Sequence, residues 1–323
     1  MRLALKRILA APLRLKGLRE RLLKDPDACV VLSFHRILPG DHPDYRYTEP
    51  ELVVEADRFA ELIGLLADST DVLDAQRFVE WLAGRHRTNR TASFITFDDG
   101  WRDVAEFASE PLARLGLPAA VFVCPMAVEN GAQTLWFEEA YRLLLKAAGS
   151  EELFELVGRS GNPRKSAKRA LERLKRASPA ERDDAMSKLR SMFAEPDEAP
   201  RLLDWDELGK LMEIGIEPHC HTLSHEILTM LTDSDVRSNL AESKRLIEER
   251  LGFEPRLLAY PNGEADARVA GIAESCGFAA AFTTDDLRVR RGESNPMLLP
   301  RRAMSDVTAP SRAVFTWKLA GLP

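Results

Sequence analysis

The chain has 323 residues, of which 45 are basic and 51 acidic, for a net charge of −6. Its 45% hydrophobic and 30% charged residues are typical of a globular chain and exclude a disordered or fibrous one. We expect no membrane-spanning helix, because no apolar run approaches the roughly 18 residues that one needs. Four cysteines without a CxxC pair exclude a disulfide-rich scaffold and a zinc ribbon.

Positive charge is concentrated at the start of the chain. Residues 1–24 hold eight basic side chains and one acidic one, which leaves 37 basic against 50 acidic in residues 25–323. This acidic body argues against nucleic acid as a partner. Residues 1–24 are predicted to form a basic amphipathic helix that either makes peripheral contact with a membrane or packs, solvated, on the body. The apolar stretch within it is too short for a signal peptide, so we expect a cytoplasmic location.

Buried strands alternate with helices along the remaining chain. Apolar runs predict strands at 28–34, 92–97, 118–124, 215–219, 257–260 and 279–283. Helical patterns are found at 51–67, 76–82, 103–115, 204–214, 236–250 and 267–276. This alternation predicts an α/β fold with a parallel sheet or barrel.

One segment interrupts this rhythm. Residues 137–198 are rich in Arg, Lys, Glu, Ala and Leu and contain no strand-like run. We interpret this segment as two or three surface helices. The chain is therefore predicted to be one barrel over 25–323 with a helical insertion at about 137–200.

The polar residues that stand out follow the carboxyl ends of predicted strands, where parallel barrels carry their chemistry. They are His35, Asp98, Asp99, His221, His225 and Asn262. The adjacent carboxylates Asp98 and Asp99 repel each other unless a cation or a proton intervenes, so one can bind a metal while the other takes a proton. The alternative for this pair is the capped, acidic start of a helix.

Three of the six histidines lie within seven residues, at 219, 221 and 225. His221 and His225 have the spacing that places two rings on one side of a helical turn, where they can chelate one ion. The alternative is a cluster that caps and packs. With Asp99 they make a set of two histidines and one carboxylate, which leaves positions open for water, as catalytic metal sites require.

Two of these segments resemble the first two motifs of the polysaccharide deacetylases, the NodB-homology or family 4 carbohydrate esterases. They are Ser93-Phe94-Ile95-Thr96-Phe97-Asp98-Asp99-Gly100 and His221-Thr222-Leu223-Ser224-His225. Ala259-Tyr260-Pro261-Asn262-Gly263 resembles the third motif more weakly. The resemblance covers roughly 28–125 and 204–302 and implies a distorted (β/α) barrel with fewer than eight regular strands.

The resemblance also implies a reaction, which is hydrolysis of an N-acetyl, or less often O-acetyl, group on a carbohydrate. Asp98 would be the general base, and Asp99, His221 and His225 would hold one divalent ion. Zn is the default, while Fe, Co, Ni and Mn also suit this ligand set. The backbone N–H of Asn262 would help to hold the oxyanion.

The sequence departs from the family pattern at two points. Ala259 stands where the family has an Arg that orients the base, and we expect Arg301 or Arg302 to supply that charge unless they form a solvated basic pair. No histidine follows His225, so the family's late acid is missing. Ser33-Phe34-His35-Arg36 resembles the early Tyr-His-Arg segment of exopolysaccharide poly-N-acetylglucosamine deacetylases, which implies that His35 is the acid, although a structural histidine is the alternative.

Two other functions compete with the deacetylase hypothesis. A sugar-binding, catalytically inactive barrel would explain the missing Arg and the missing late histidine. A different metal-dependent amidohydrolase would use His219 and His221 as a ligand pair, although such a pair normally follows the first strand.

Overall fold

The computed structural model describes residues 16–132, 134–147, 162–193 and 201–322. The strands are β1 (Ala28–Phe34), β2 (Arg36–Leu38), β3 (Val53–Glu55), β4 (Asp71–Val72), β5 (Ala92–Phe97), β6 (Ala119–Val123), β7 (Ile216–Cys220), β8 (Leu257–Ala259), β9 (Ala280–Phe282), β10 (Val289–Arg290) and β11 (Arg302–Ala303).

The described helices are α1 (Lys16–Leu22), α2 (Ala56–Ser69), α3 (Ala75–Leu82), α4 (Ser109–Leu115), α5 (Pro125–Glu129), α6 (Trp136–Ala147), α7 (Pro163–Arg176), α8 (Pro179–Met192), α9 (Trp205–Glu213), α10 (Asp233–Leu251), α11 (Ala267–Ser275) and α12 (Arg312–Leu319). A π-helical turn, Val104–Ala108, leads into α4. No helix in these described ranges is long and apolar enough to cross a membrane.

The main sheet is parallel in the order β1-β5-β6-β7-β8-β9, and it curls back toward its first strand. Leu299 forms a parallel bridge with Phe282 of β9, and β11, just beyond it, pairs in parallel with β1. The segment 299–303 therefore links the last strand of the sheet to the first. The predicted α/β barrel is confirmed.

The apolar runs sort into two layers because successive side chains of a strand point to opposite faces. One set of alternate residues fills the barrel interior, as Val31, Phe94 and Phe122 do. The other set packs against the outer helices, as Leu32 and Ile95 do. The strands β1, β5 and β6 are thus buried on both faces, which explains their continuous apolar sequences.

Most predicted elements are confirmed within a residue or two, and β1 and β5 match their predicted ranges completely. The helix predicted over 51–67 begins only at Ala56, because residues 53–55 pair with β2 as β3. The helix predicted over 103–115 ends before Gly116, whose φ of 62° is the left-handed conformation that glycine adopts at helix ends.

The insertion differs from the prediction of surface helices. Most side chains of α6 are buried, and they form a second apolar core with side chains from α7 and α8. Trp101 and Cys124 at the barrel end belong to this core, so the insertion is packed onto the barrel. Residues 148–161 and 194–200 lie outside the described residues, as do residues 1–15 of the predicted basic helix, so the predicted domain limits and the membrane contact stay predictions.

Candidate active site

The register of β1 and β5 brings the first site residues together. Phe34 pairs with Phe97, and the backbone N–H of Asp98 donates to the carbonyl of Phe34 at 2.9 Å. His35 and Asp98 therefore leave neighbouring strands at the same level, and the His35 Nε2 atom lies 3.8 Å from the Asp98 Oδ2 atom.

Asp98 is held by Arg301 from the last strand segment. Arg301 Nη1 donates to Oδ1 at 2.6 Å and Nη2 donates to Oδ2 at 2.7 Å, a paired geometry that only a guanidinium provides. Both side chains are buried. Burial raises the pKa of Asp98, but the charge of Arg301, together with those of His221 and His35, outweighs burial, so the pKa lies below the ordinary carboxyl value.

The structure distinguishes between the two arginines that the sequence left open. Leu299 and Arg301 point into the barrel, whereas Arg302, the next residue, points to the outer side, where its Nε lies 3.7 Å from Asp286. Alternation along an extended segment explains this separation. Arg302 is therefore not brought to Asp98, and the alternative of a solvated pair fails as well, since Arg301 is fully buried.

Asp99, His221 and His225 converge on one point. The Oδ1 atom of Asp99 lies 3.4 Å from His221 Nε2 and 3.6 Å from His225 Nε2. This Oδ1 atom is buried and accepts no hydrogen bond from the described residues. The two rings meet as their spacing predicts, but on a turn that is not helical, in which Thr222 and His225 have φ values of 62° and 66°.

Supporting hydrogen bonds orient two of these three side chains. Trp101 Nε1 donates to the other Asp99 oxygen, Oδ2, at 3.1 Å, which leaves Oδ1 facing the histidines. His221 Nδ1 lies 2.8 Å from the carbonyl oxygen of Ala259, so this nitrogen carries the proton and Nε2 keeps its lone pair. Such outer partners fix the tautomer and direction of metal-binding histidines.

The pKa values of Asp99 and His225 suit the binding of a cation, whereas at His221 a proton competes with the ion. Burial raises the pKa of Asp99, but its close approach to His221 and the other nearby histidines lowers it well below the ordinary value. Burial and the charge of His221 lower the pKa of His225 to about 3, so its ring stays neutral. Burial lowers the pKa of His221, but its contact with Asp99 raises the pKa by more, so the net shift is upward.

This group fits one divalent ion. One ligand atom from each of Asp99, His221 and His225 lies within 4.8 Å of the others, and they are the sole such group in the described ranges. Two imidazoles and a carboxylate with open positions suit Zn and the neighbouring transition metals. His219, the histidine of the competing amidohydrolase hypothesis, is buried against Phe122 and Phe253 and is not part of the group.

A cavity of about 270 Å³ opens onto this group. His35, Asp98 and Asn262 line it together with the three candidate ligands. Asn262 has a φ of 57°, and its backbone N–H donates to no acceptor in the part of the chain that the structure describes. The side of α7 that carries Lys168, Glu172 and Lys175, spaced four and three residues apart, forms another wall.

A buried ionic network supports the rim of this cavity. Arg36 contacts Asp44, Asp103 and Glu138, and its guanidinium stacks 4.5 Å from the Trp101 ring centre. Burial, only partly offset by Arg36, raises the pKa of Glu138 to about 7 and that of Asp103 to about 6. The network thus anchors the ring whose N–H orients Asp99.

Sequence reasoning missed two contributors to the site. Trp101 follows the acidic motif directly, but an aromatic residue at a helix start does not by itself reveal a hydrogen bond. Lys175 belongs to a basic helix that reads as a solvated surface. Its spacing from Lys168 and Glu172 on one helix face was the available signal.

Comparison with known proteins gives a consistent result. Residues 85–281, more than half of the chain, match the family model for polysaccharide deacetylase. The matched range contains Asp98, Asp99, His221, His225 and Asn262 but not His35 or Arg301.

Two solved structures share the fold over nearly the whole chain. The deacetylase PplD of Streptococcus pyogenes, solved with acetate, is 15% identical with a TM-score of 0.62 and covers 88% of this chain and 96% of its own. IcaB from Ammonifex degensii is 18% identical with a TM-score of 0.60 and covers 90% of this chain and 97% of its own.

Curated relatives match over shorter segments. Chitin deacetylase 1 of Cryptococcus neoformans is 33% identical over 70 residues, which is 22% of this chain and 15% of the fungal protein. Across the curated relatives the matched segments span 15% to 29% of their own lengths.

We expect the purified protein to bind one divalent ion per chain, and His221→Ala to weaken Zn²⁺ binding by more than about 100-fold, because a ligand costs more than an outer partner. Affinity should also fall as the pH drops, since His221, whose pKa is raised, must release its proton. Titration calorimetry measures both. His86→Ala, away from the site, is the control; equal affinity in the two variants would place the ion elsewhere.

Proposed function

The chain belongs to the polysaccharide deacetylase family, and on this premise we propose that it is a metal-dependent hydrolase that removes N-acetyl groups from an acetylated sugar. The substrate would be a cell-surface polysaccharide or a glycolipid precursor. The observation that carries the proposal is the position of Asp98, an ionised carboxylate paired with Arg301 and adjacent in sequence to the metal-site residue Asp99.

Asp98 is the proposed general base. Its pKa is lowered, so the carboxylate is ionised and able to accept a proton at neutral pH. The paired contacts with Arg301 fix its orientation, and Ser33 Oγ lies 3.4 Å from Oδ2. A water molecule in the cavity would lose its proton to Asp98 as it attacks the acetyl carbonyl.

Asp99, His221 and His225 would hold the divalent ion. When bound, this ion supplies a Lewis acid that polarises the acetyl carbonyl and lowers the pKa of water. Trp101 and the Ala259 carbonyl keep the carboxylate and one imidazole turned toward the ion position.

Asn262 and His35 have the remaining roles in the proposal. The backbone N–H of Asn262, which faces no acceptor among the described residues, would donate to the oxyanion as the carbonyl carbon becomes tetrahedral. His35 lines the cavity and would protonate the leaving amine, in place of the absent late histidine. Its side chain is 20% exposed, so the proton can exchange with solvent.

The hypothesis of an inactive barrel loses one of its two supports. It rested partly on Ala259, which stands where the family has a base-orienting Arg. Arg301 makes the paired contact with the base from a different strand segment. An arginine retained at this carboxylate favours catalysis over sugar binding alone.

We expect metal-dependent release of acetate from N-acetylhexosamine oligomers. Acetate is quantified with purified protein, with and without added divalent ion, and with chelator. Asp98→Asn should reduce release by at least about 100-fold, because it removes the base, and should keep the ion.

A thermal melt accompanies this variant, since Asn leaves the buried Arg301 without its counter-charge. A folded Asp98→Asn protein that has lost the ion would show that Asp98 is a ligand. Undiminished acetate release would show that it is not the base.

We expect His35→Ala to lower kcat by about 100-fold or more while Zn²⁺ affinity changes little, because general acid catalysis contributes roughly that much. A substrate with a better leaving group, such as an O-acetyl ester, should be less affected. Near-normal rates on N-acetyl substrates would return His35 to a structural role.

A further inference from the structure

A second cavity of about 440 Å³ adjoins the active site on the side of the insertion. This volume lies within the roughly 300–1,000 Å³ that is usual for ligand sites. The two cavities share Lys175, His225 and Asn262 as lining residues. A ligand whose acetyl group lies at the candidate metal site would therefore extend into this neighbouring space.

The walls of the second cavity combine positive charge with apolar surface. Lys175, Arg176 and Arg182 come from α7 and α8, and Glu226 is the one acidic side chain in the lining. The apolar part consists of Trp136, Ile227, Met230 and Leu231. Three basic side chains against one acidic side chain in the lining favour an anionic ligand group.

Arg182 is the side chain best placed to bind such a group. Its guanidinium lies 4.7 Å from the centre of the Trp136 ring. No carboxylate within ion-pair distance of Arg182 is found in the described parts of the chain. A guanidinium supported by an aromatic face keeps its N–H donors available for an anion.

The other two basic side chains are partly engaged. Arg176 is exposed and lies 3.6 Å from Glu264. Lys175 is 3.2 Å from Glu172 and lies over the Phe137 ring, close to the candidate metal site. Glu226 also has a partner, because it accepts the backbone N–H of Ser224 at 2.9 Å. Its charge therefore opposes the cavity's positive potential less than an unpaired carboxylate would.

We propose that this cavity binds a phosphate group of the acetylated sugar, so that the preferred substrate is a phosphorylated or phosphate-linked amino sugar. This inference rests on the proposed function and deepens it. A phosphate monoester carries close to two negative charges at neutral pH and a phosphodiester carries one, and both offer the acceptor oxygens that guanidinium groups bind in pairs. The Trp136 ring and its aliphatic neighbours form a surface for the face of a sugar ring.

The helical insertion would supply the side chains that bind this phosphate. Every basic residue of the cavity comes from residues 175–182, at the junction of α7 and α8. The barrel strands and their loops contribute the candidate catalytic groups instead. The insertion would thus select the substrate, and the barrel would carry out the reaction.

The test measures binding of N-acetylglucosamine 1-phosphate and of unphosphorylated N-acetylglucosamine to the Zn²⁺-loaded full chain by calorimetry. The Asp98→Asn background prevents turnover. We expect the phosphorylated sugar to bind at least about tenfold more tightly, and Arg182→Gln to remove about tenfold of its affinity. Equal affinities for the two sugars overturn the inference.

Lys188→Gln is the matched control. Lys188 lies on the same helix as Arg182, pairs with Asp184 and lies outside the cavity lining. Both substitutions remove one positive charge from the chain, so only the position of the charge differs. The affinity of Lys188→Gln for the phosphorylated sugar should stay within about twofold of the parent. If both variants weaken binding alike, the effect is one of general charge, and the cavity site is refuted. A contact of phosphate with Zn²⁺ itself would survive Arg182→Gln, so an unchanged affinity in that variant also refutes it.

Two further outcomes are distinguishable. The first uses a disaccharide of N-acetylglucosamine and glucuronate. If it binds as tightly as the phosphorylated sugar, with the same dependence on Arg182, the cavity is a carboxylate site and the proposal is overturned. Metal-dependent acetate release without any preference for phosphate leaves the proposed function and refutes this inference. If the phosphorylated sugar binds in an Arg182-dependent way but no substrate releases acetate, the phosphate site stands and the proposed deacetylase function is refuted.

Discussion

The paired contact of Arg301 with Asp98 is the interaction on which the site depends. Asp98 and Asp99 are adjacent carboxylates, both buried, and their charges repel. Their surroundings differ: Arg301 pairs with Asp98, whereas Asp99 faces His221 and His225, where a bound divalent ion would supply the opposite charge. The contact that orients the proposed base also joins the last strand segment to the end of β5. Removing one member of a buried ion pair lowers the free energy of unfolding by about 3–5 kcal/mol, so this contact also contributes to the stability of the barrel.

Backbone strain is concentrated at the same end of the barrel. The four described non-glycine residues with positive φ are Asp99, Thr222, His225 and Asn262, and all four belong to the three motifs. Such conformations cost of order 1–3 kcal/mol each and persist where the surroundings fix them. The next residue, Gly263, has a φ of 72° and packs closely against Thr284. A Cβ added to Gly263 would lie 2.2 Å from the Thr284 hydroxyl. The strands thus provide the rigidity, and strained turns at their ends aim the functional groups.

The sequence predicted the barrel well because central strands such as 28–34 and 92–97 are buried on both faces and leave a continuous apolar run. It placed the candidate metal ligands Asp99, His221 and His225 together because carboxyl ends of parallel strands meet at one edge. The convergence of His221 and His225 was predictable from their spacing, but the turn that produces it was not, since histidines four apart can meet on a helical turn or on a turn with positive φ. Arg301 and Arg302 could not be separated, because their segment is too short to reveal which face is buried. The ionic network of Arg36 was missed because charged residues ordinarily read as surface, and only the packing of α6 buries them.

The role of Arg301 is tested most directly by the pH dependence of kcat/KM for acetate release by Arg301→Gln, with Arg301→Lys as the conservative comparison. A base works only when deprotonated, so activity is lost as the pH falls through the pKa of Asp98. That pKa is lowered mainly by Arg301 against the opposing effect of burial. We expect Arg301→Gln to move the acidic limb to higher pH and Arg301→Lys to move it less, because the point charge of Lys restores part of the field. An acidic limb at the same pH in a folded Arg301→Gln protein would contradict it.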